Sequence, residues 1–217
     1  MRSFSKRFLR LIIGLFLCSL GILLTIQANI GYAPWDAFHV GFAKTIGVSL
    51  GTSSIIVGLA IVVVTILLGE KLGVGTLLNM FLIGIFLDVL IMSNVIPIVD
   101  NSFLGLLMLL IGLFIIALGS YFYIGSGFGA GPRDSLMVGL TRKTKLPVGL
   151  CRVMVELSAA LIGYKLGGMI GLGTIIAAFA IGFCVQITFK LLNFDTTTVK
   201  HETLQETFNI IKASRGM

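Results

Sequence analysis

Charged residues are scarce in this sequence of 217 residues. They make up 12% of the chain, whereas 57% of it is hydrophobic and the mean hydropathy is +1.07. A soluble domain carries about a quarter charged residues, which form the polar shell around its core. This chain cannot build such a shell, so we expect an all-α membrane protein whose apolar surface contacts the lipid bilayer. A spanning helix needs about 20 mostly apolar residues, which leaves room for about six spans.

Motifs for catalysis and for metal binding are missing as well. The cysteines Cys18, Cys151 and Cys184 lie in apolar runs without a CxxC spacing, and His39 and His201 have no nearby Cys or His partner. Zinc sites need such partners at close spacing, so we expect no metal and no cofactor. The chain also lacks the HExxH, GxSxG and GxxxxGKS/T patterns, which argues against an enzyme and against an ATP-driven pump.

The chain contains an internal repeat. Residues 14–90 match residues 112–188 at a constant offset of 98, and no gap is needed. Shared Gly, Pro, Asp and Thr are more informative than shared Leu or Ile, because each has a backbone role tied to its position. The matched pairs include Gly31/Gly129, Pro34/Pro132, Asp36/Asp134, Gly51/Gly149, Gly73/Gly171, Gly75/Gly173, Thr76/Thr174 and Gly84/Gly182. The repeat predicts one unit at 1–98, a second at 99–192 and a tail at 193–217.

Each unit is predicted to contain a span, a Gly/Pro break, a short helix and two more spans. Leu204, Phe208 and Ile211, spaced i, i+4, i+7, predict a short surface helix in the tail. Because each unit has an odd number of spans, the second unit must start on the opposite side of the membrane. The predicted elements lie at 9–29, 34–46, 50–68 and 75–96 in the first unit, and at 104–124, 132–144, 149–166 and 171–192 in the second.

Positive charge orients the spans. With the N-terminus in the cytoplasm, only Lys44 and Lys165 of the 16 Lys and Arg residues fall outside. This bias satisfies the positive-inside rule, and it leaves no basic stripe for a nucleic acid despite the net charge of +7. We therefore expect six transmembrane helices in a 3+3 inverted repeat, with both termini cytoplasmic and no nucleic-acid partner. Inverted repeats recur in secondary transporters.

The duplicated break is the first candidate site. It reads Gly-Tyr-Ala-Pro-Trp-Asp at 31–36 and Gly-Ala-Gly-Pro-Arg-Asp at 129–134. Proline suits the first turn of a helix, and an aspartate two residues later lies at the positive end of the helix dipole. Two interpretations stay open. The segment is either a well-capped interfacial helix or a broken helix whose free N–H groups bind a substrate near the middle of the membrane.

Polar residues inside the spans form the second candidate. Glu156 lies mid-span, where ionised groups are costly, and Arg152 lies one turn earlier. The two form either a neutralised structural pair or a site where the carboxylate titrates or binds a cation. The other polar residues either line a path or bond between helices. The candidate substrate-binding or gating residues are Asp36, Asp134, Trp35, Arg133, His39, Glu156, Arg152, Asn29, Asn79, Asp88 and Gln186.

The two break motifs and the Gly-Leu-Gly-Thr at 171–174 resemble the bacterial YczE/YyaS/YitT family of multispan membrane proteins. The resemblance covers roughly residues 8–190, and without a large cytosolic C-terminal domain the chain is similar to the YczE-type branch. It implies a location in the bacterial cytoplasmic membrane. It implies neither an activity nor catalytic residues, because the members of the family are mostly uncharacterised.

These features favour a small secondary transporter or permease for a small solute, with alternating access between the two units and proton coupling as one option. Two alternatives stay open. The polar tail also suits a non-transporting membrane scaffold or regulator, and the spans also suit a passive channel. Six short spans form a thin wall around a path, so a homodimer is a further expectation.

Overall fold

The computed structural model describes residues 2–199 and 201–215, and no β-strand occurs in them. The all-α prediction is confirmed. The predicted tail helix is confirmed as α9, and the side chain of Ile211 lies outside the described residues. The helices are α1 (Arg2–Gln27), α2 (Pro34–Ile46), α3 (Leu50–Leu67), α4 (Val74–Ser93), α5 (Ser102–Ile124), α6 (Pro132–Thr144), α7 (Val148–Lys165), α8 (Leu172–Leu191) and α9 (Leu204–Arg215), with a 3-10 turn at Thr196–Thr198.

The short helices α2 and α6 begin and end where the sequence predicts. Pro34 and Pro132 each open the first helical turn, where the missing N–H breaks no hydrogen bond. Gly47 ends α2 with a left-handed φ of 71°, and Lys145 ends α6 with a φ of 59°. The other bounds agree within a few residues, except that α1 begins at Arg2 rather than at residue 9. Hydropathy identifies only the apolar part of a helix, so it does not predict the basic first turns of α1.

Five helices are long and apolar enough to cross a membrane: α1, α3, α4, α5 and α8. A sixth span requires the pair α6 and α7, which are bent by 120° relative to each other. α7 alone has 18 residues but contains Arg152, Glu156 and Lys165, so it is less apolar than the others. The chain is therefore a multi-pass membrane protein with five spans, or six if the bent pair counts as one.

Helices α1 and α5 approach each other closely through glycines. A Cβ on Gly21 would lie 2.6 Å from the backbone oxygen of Gly112, and a Cβ on Gly14 would lie 2.8 Å from the backbone oxygen of Gly119. These distances leave no room for a side chain, so the two helices pack backbone against backbone. Small residues permit such close packing between helices in a membrane.

Each break lies against the start of a helix from the other unit. The Gly173 N–H, at the start of α8, donates to the Ile30 carbonyl at 2.8 Å. The Gly75 N–H, at the start of α4, donates to the Phe128 carbonyl at 2.7 Å. Both the donors and the acceptors are 98 residues apart, so the two bonds join equivalent positions of the repeat. Carbonyl groups that each break exposes are thus satisfied by the other unit.

Glycine is required within each break for two separate reasons. Gly31 and Gly129 adopt φ angles of 118° and 120°, which residues with a side chain rarely adopt. In addition, a Cβ on Gly31 would lie 2.6 Å from the Gly171 nitrogen, and a Cβ on Gly129 would lie 2.8 Å from Gly73 Cα. The break therefore depends on both the flexibility and the small size of glycine.

The short helices also cross to the opposite unit. α2 packs against α7, where a Cβ on Gly163 would lie 2.5 Å from the Phe38 nitrogen. α6 packs against α3, where a Cβ on Gly139 would lie 3.0 Å from the Leu68 side chain at the end of α3. The two units therefore interlock instead of standing side by side.

Equivalent helix pairs differ in how closely they pack. α3 and α4 touch at Gly51 and Gly84, where a Cβ on Gly84 would lie 2.6 Å from the Gly51 carbonyl oxygen. At the equivalent positions on α7 and α8, a Cβ on Gly149 or on Gly182 would meet no neighbouring heavy atom within 4 Å. α3 and α4 are therefore closed on each other, whereas α7 and α8 stand apart at these positions.

Replacing Gly21 by Ala is expected to lower the free energy of unfolding by about 1–3 kcal/mol, because the new methyl group would overlap the backbone of α5. The matched control is Gly182→Ala, which is also mid-helix but points into open space. It should be neutral, or stabilising by up to about 1 kcal/mol through helix propensity. Thermal unfolding in detergent measures both, and equal destabilisation by the two substitutions would contradict this packing.

Candidate functional site

A cavity of about 550 Å³ lies between the two units, and residues of both line it. Seven of the eleven candidate residues predicted from the sequence line this cavity: Trp35, His39, Asn79, Arg133, Asp134, Arg152 and Glu156. No sequence motif marks the other polar residues of the lining, which include Ser54, Ser120, Tyr123, Thr196 and His201. The fold thus brings most of the candidate residues together where the units meet.

The starts of α2 and α6 meet at the cavity. The Arg133 guanidinium lies over the Trp35 ring, with its Cζ 4.8 Å from the ring centroid, where the ring quadrupole attracts a cation. These two residues occupy equivalent positions of the repeat, the second of each short helix. Arg133 forms no hydrogen bond or ion pair with any of the residues that the structure describes. Its N–H groups are therefore available to a ligand.

Asp134 is held in place by Tyr123. The Tyr123 hydroxyl donates to Asp134 Oδ2 at 3.0 Å, and the Gly131 N–H donates to the same hydroxyl oxygen at 2.8 Å. Tyr123 is 5% exposed, so this bridge fixes the start of α6 from inside the protein. Its role is hard to predict, because a tyrosine near the end of an apolar span usually indicates the membrane interface.

Arg152 and Glu156 form the ion pair that their spacing predicts. The Arg152 Nε–H donates to Glu156 Oε1 at 2.9 Å, and both side chains line the cavity. The Arg152 side chain is 55% exposed and the Glu156 side chain 20%, so the pair faces open space. Within the described chain Glu156 Oε2 has no partner, which leaves one carboxylate oxygen available to a ligand.

His39 reaches the cavity from α2. Its ring centroid lies 6.3 Å from those of Trp35 and Phe38, and the residue is 4% exposed. The imidazole has no hydrogen-bond partner in residues 2–199 and 201–215. It therefore adds a buried but unengaged polar group beside the Trp35–Arg133 contact.

The charged side chains of the cavity lining balance one another. Arg133 and Arg152 supply two positive charges, and Asp134 and Glu156 supply two negative charges. Asp36 is 4% exposed and does not line the cavity, although its charge also acts on Arg133. The described residues of the lining thus contribute charges of both signs that sum to zero.

Three candidate residues lie elsewhere. Asp88 joins the start of α3 to the end of α4, because its carboxylate accepts from the Ser49 hydroxyl at 2.5 Å and from the Gly51 N–H at 2.7 Å. Asn29 is exposed just after α1, with a left-handed φ of 56°. Gln186 is exposed on α8. None of the three lines the cavity.

The start of the tail forms part of the cavity lining. Thr196 and His201 line the cavity, and burial lowers the pKa of His201 below its ordinary value. The neighbouring Glu202 pairs with Arg7 of α1, with Oε1 and Nη1 2.6 Å apart. Its N–H also donates to the Gly127 carbonyl at 2.8 Å, next to the second break. The start of the tail is thus anchored to the transmembrane part.

A second cavity, of about 320 Å³, lies between α2, α6 and α7. Its lining includes Trp35, Phe38, Leu140, Met154 and Val155, and no charged side chain from the described ranges lines it. Trp35 lines both cavities and so stands between a polar and an apolar space. In the part of the chain that the structure describes, no group of three or more His, Cys, Asp or Glu is placed to hold a metal ion.

Comparisons with known proteins identify relatives along most of the chain. A family of unknown function, DUF6198, matches residues 5–190. The chain is 36% identical over 187 residues to the uncharacterised membrane protein YczE of Bacillus subtilis, which covers 83% of this chain and 86% of that protein. It is 33% identical over 182 residues to an uncharacterised protein of Haemophilus influenzae, with coverages of 84% and 83%. It is 29% identical over 182 residues to the uncharacterised B. subtilis protein YyaS, with coverages of 83% and 90%.

No solved structure matches this chain. The family match includes both breaks and all eight helices before the tail, from α1 to α8, apart from the ends of α1 and α8. The resemblance that the break motifs indicate is therefore confirmed: the chain is similar to YczE and YyaS, and it belongs to the DUF6198 family.

Proposed function

We propose that the protein is a small secondary transporter, in which two inverted three-span units expose the central cavity to one side of the membrane at a time. The observation that carries this proposal is the unequal packing of equivalent helix pairs. α3 and α4 are closed on each other, whereas α7 and α8 stand apart. A carrier built from two equivalent units has two arrangements, because either helix pair can be the closed one while the other is apart. Changing from one arrangement to the other moves the opening of the cavity to the other side of the membrane.

Reciprocal contacts support the inverted repeat. The bond from Gly173 to Ile30 and the bond from Gly75 to Phe128 exchange the two units, as a two-fold relation between them requires. With an odd number of spans in each unit, this relation turns one unit upside down in the membrane. The bent pair α6 and α7 supplies the sixth span in this arrangement. α7 is its crossing part, and an internal ion pair neutralises two of the three charges on α7.

The cavity opens to the cytoplasm in the proposed orientation. The excess of basic residues puts the start of α7 and the end of α8 on the cytoplasmic side, and the start of α7 is where the pair stands apart. The start of α3 and the end of α4 lie on the outer side, where Asp88 joins them through Ser49 and Gly51. The structure then corresponds to the inward-facing state of the carrier.

In the outward-facing state, α7 closes on α8 through Gly149 and Gly182, and α3 separates from α4. The two closures differ in strength, because Gln186 occupies the position equivalent to Asp88. A carboxylate forms stronger hydrogen bonds than an amide does. The empty carrier is therefore biased towards the inward-facing state, and binding of a solute has to supply the difference.

Cysteine cross-linking tests the alternation, in a background with the native cysteines replaced by alanine. Ser49→Cys with Asp88→Cys tests the outer contact, and Pro147→Cys with Gln186→Cys tests the equivalent inner positions. Both pairs are expected to cross-link in membranes, each from a different state, and single-cysteine variants are the controls. Failure of the inner pair to form a disulfide, or both disulfides in one molecule, would contradict alternating access.

Transport itself is measured in proteoliposomes, with solutes that raise the melting temperature of the purified protein. Asp134→Asn and Glu156→Gln are each expected to lower the saturable uptake rate about tenfold or more, because each removes a charged group from the cavity. Glu156→Gln also shows whether proton coupling depends on this carboxylate, since its uptake should then lose its dependence on a pH gradient.

The matched control is Glu206→Gln, because Glu206 is exposed and, among the described residues, bonds to Thr203 alone. Unchanged uptake in both cavity variants would reject the site. Uptake that rises with solute concentration without saturating would indicate a channel. No uptake of any solute, together with a protein partner that is lost when residues 193–217 are removed, would indicate a scaffold.

A further inference from the structure

We propose that the central cavity binds a small zwitterion, a solute that carries one carboxylate and one ammonium group. The site is that of the proposed transporter, so this class of solute rests on the proposed function and makes it more specific. Three properties of the cavity carry the inference, each judged on the described residues: a positive end with unengaged donors, acidic groups with unengaged acceptors, and a zero sum of charges in the lining.

The positive end begins with the two short helices. Their first backbone bonds run from Ala37 to Ala33 and from Ser135 to Gly131. The N–H groups of the second and third residues of each helix have no acceptor among the described residues, and neither helix has a side-chain cap at its start. Helix N-termini carry the positive end of the dipole and bind anionic groups.

Arg133 adds a full charge and directional donors at the same place. Its guanidinium is held by the face of Trp35 instead of by a carboxylate, so its donors are not used by any described residue. The planar guanidinium matches the two oxygens of a carboxylate. His39, which is 4% exposed and unengaged among the described residues, lies within 6.3 Å of the Trp35 ring and supplies a further polar atom. A solute carboxylate therefore fits best at Arg133.

The acidic groups provide the opposite end. Glu156 Oε2 and Asp134 Oδ1 have no partner among the described residues, so each is free to accept from an ammonium group. A simple anion would be attracted by Arg133 but repelled by these two carboxylates. A simple cation would be attracted by the carboxylates but repelled by Arg133 and Arg152. A zwitterion places each of its charges against the opposite sign.

The volume of the cavity limits the size of the solute. Its volume of about 550 Å³ is within the usual range of small-molecule sites, roughly 300–1,000 Å³. A solute the size of an amino acid fits together with several water molecules.

Matched probes test this inference on the purified full-length protein by thermal shift and calorimetry. L-leucine is compared with 4-methylpentanoate and 3-methylbutylamine, L-serine with 3-hydroxypropionate and ethanolamine, and 4-aminobutyrate with butyrate and propylamine. At least one zwitterion is expected to bind saturably, and its two fragments, which lack either the amine or the carboxylate, should bind at least about tenfold more weakly.

Two variants of Arg133 test whether the carboxylate of the solute binds at this residue. Arg133→Gln is expected to raise the dissociation constant of that zwitterion about 10- to 100-fold, with Arg133→Lys intermediate because the charge is kept. Arg142→Gln is the control, since Arg142 pairs with Glu70 outside the cavity, at 3.0 Å, and should leave the constant unchanged.

Three outcomes would contradict the proposal that the cavity binds a zwitterion. They are equal binding of the acid fragment, equal binding of the amine fragment, and no binding of any of the three zwitterions. Binding is measured without flux, so the two proposals fail separately. Uptake of another solute without zwitterion binding rejects only the class of solute, and zwitterion binding without any uptake rejects only the transporter.

Different contacts carry a second inference: we infer that the segment around Glu202 is a latch beside the cavity, on the cytoplasmic side in the proposed orientation. Glu202 binds Arg7 at 2.6 Å through its carboxylate and Gly127 at 2.8 Å through its N–H. Two residues later, the Leu204 N–H donates to the Leu72 carbonyl at 2.9 Å, in the loop between α3 and α4. The segment is thus fixed to three separate parts of the chain beside residues that line the cavity.

Labelling of a deep cavity residue tests the latch. Ser54→Cys, in the background without native cysteines, is labelled by a membrane-impermeant maleimide in inside-out vesicles. Adding Glu202→Gln is expected to raise the labelling rate about fivefold, because it removes the ion pair with Arg7. Glu206→Gln is the matched control and should not change the rate. An unchanged rate in Glu202→Gln, or an equal rise in the control, would overturn the latch.

Discussion

A helix that breaks inside hydrocarbon exposes backbone groups that lipid cannot satisfy, and this constraint organises the chain. In this protein, each half supplies hydrogen-bond donors to backbone carbonyls of the other half. The Ile30 carbonyl of the first break accepts from Gly173 in the second half, and the Phe128 carbonyl of the second break accepts from Gly75 in the first half. Neither half is complete without the other, since each supplies the partners that the other lacks. The crossing of α2 to α7 and of α6 to α3 strengthens the same dependence.

These exchanged hydrogen bonds leave other backbone groups without a partner among the described residues, and those groups lie at the candidate site. Carbonyl groups of the breaks find partners, whereas the first N–H groups of α2 and α6 find none among the described residues and lie where the halves meet. Departures from complete pairing are expected at functional sites, because a ligand can supply the missing partner. Arg133 follows the same pattern, since it is held by the Trp35 ring and its donors bond to no residue in the described ranges. The polar part of the cavity therefore consists of groups that have no hydrogen-bond partner among the described residues.

Helix positions were predictable from local chemistry, whereas the contacts between helices were not. Pro34 and Pro132 define the starts of α2 and α6, and a stretch of apolar residues defines each span, so these bounds agree with the structure. The candidate residues from the breaks mostly meet in one cavity. No local pattern marks Tyr123, which bonds to Asp134 only after the break folds back. The same holds for Asp88, whose bonds to α3 lie away from the cavity.

Trp35 and Arg133 illustrate why two copies of one unit must differ most where they meet. Under the proposed two-fold relation, equivalent residues near the axis face each other, so an unchanged side chain would meet its own copy. Two arginines about 4 Å apart would repel by about 1–4 kcal/mol, depending on how much water screens them. Tryptophan opposite arginine turns that repulsion into attraction. Gly58 and Glu156, another equivalent pair in the lining, likewise differ, because only the second carries a charge. Divergence at the axis is thus what a duplicated chain needs if it is to bind the proposed solute, whose two ends differ.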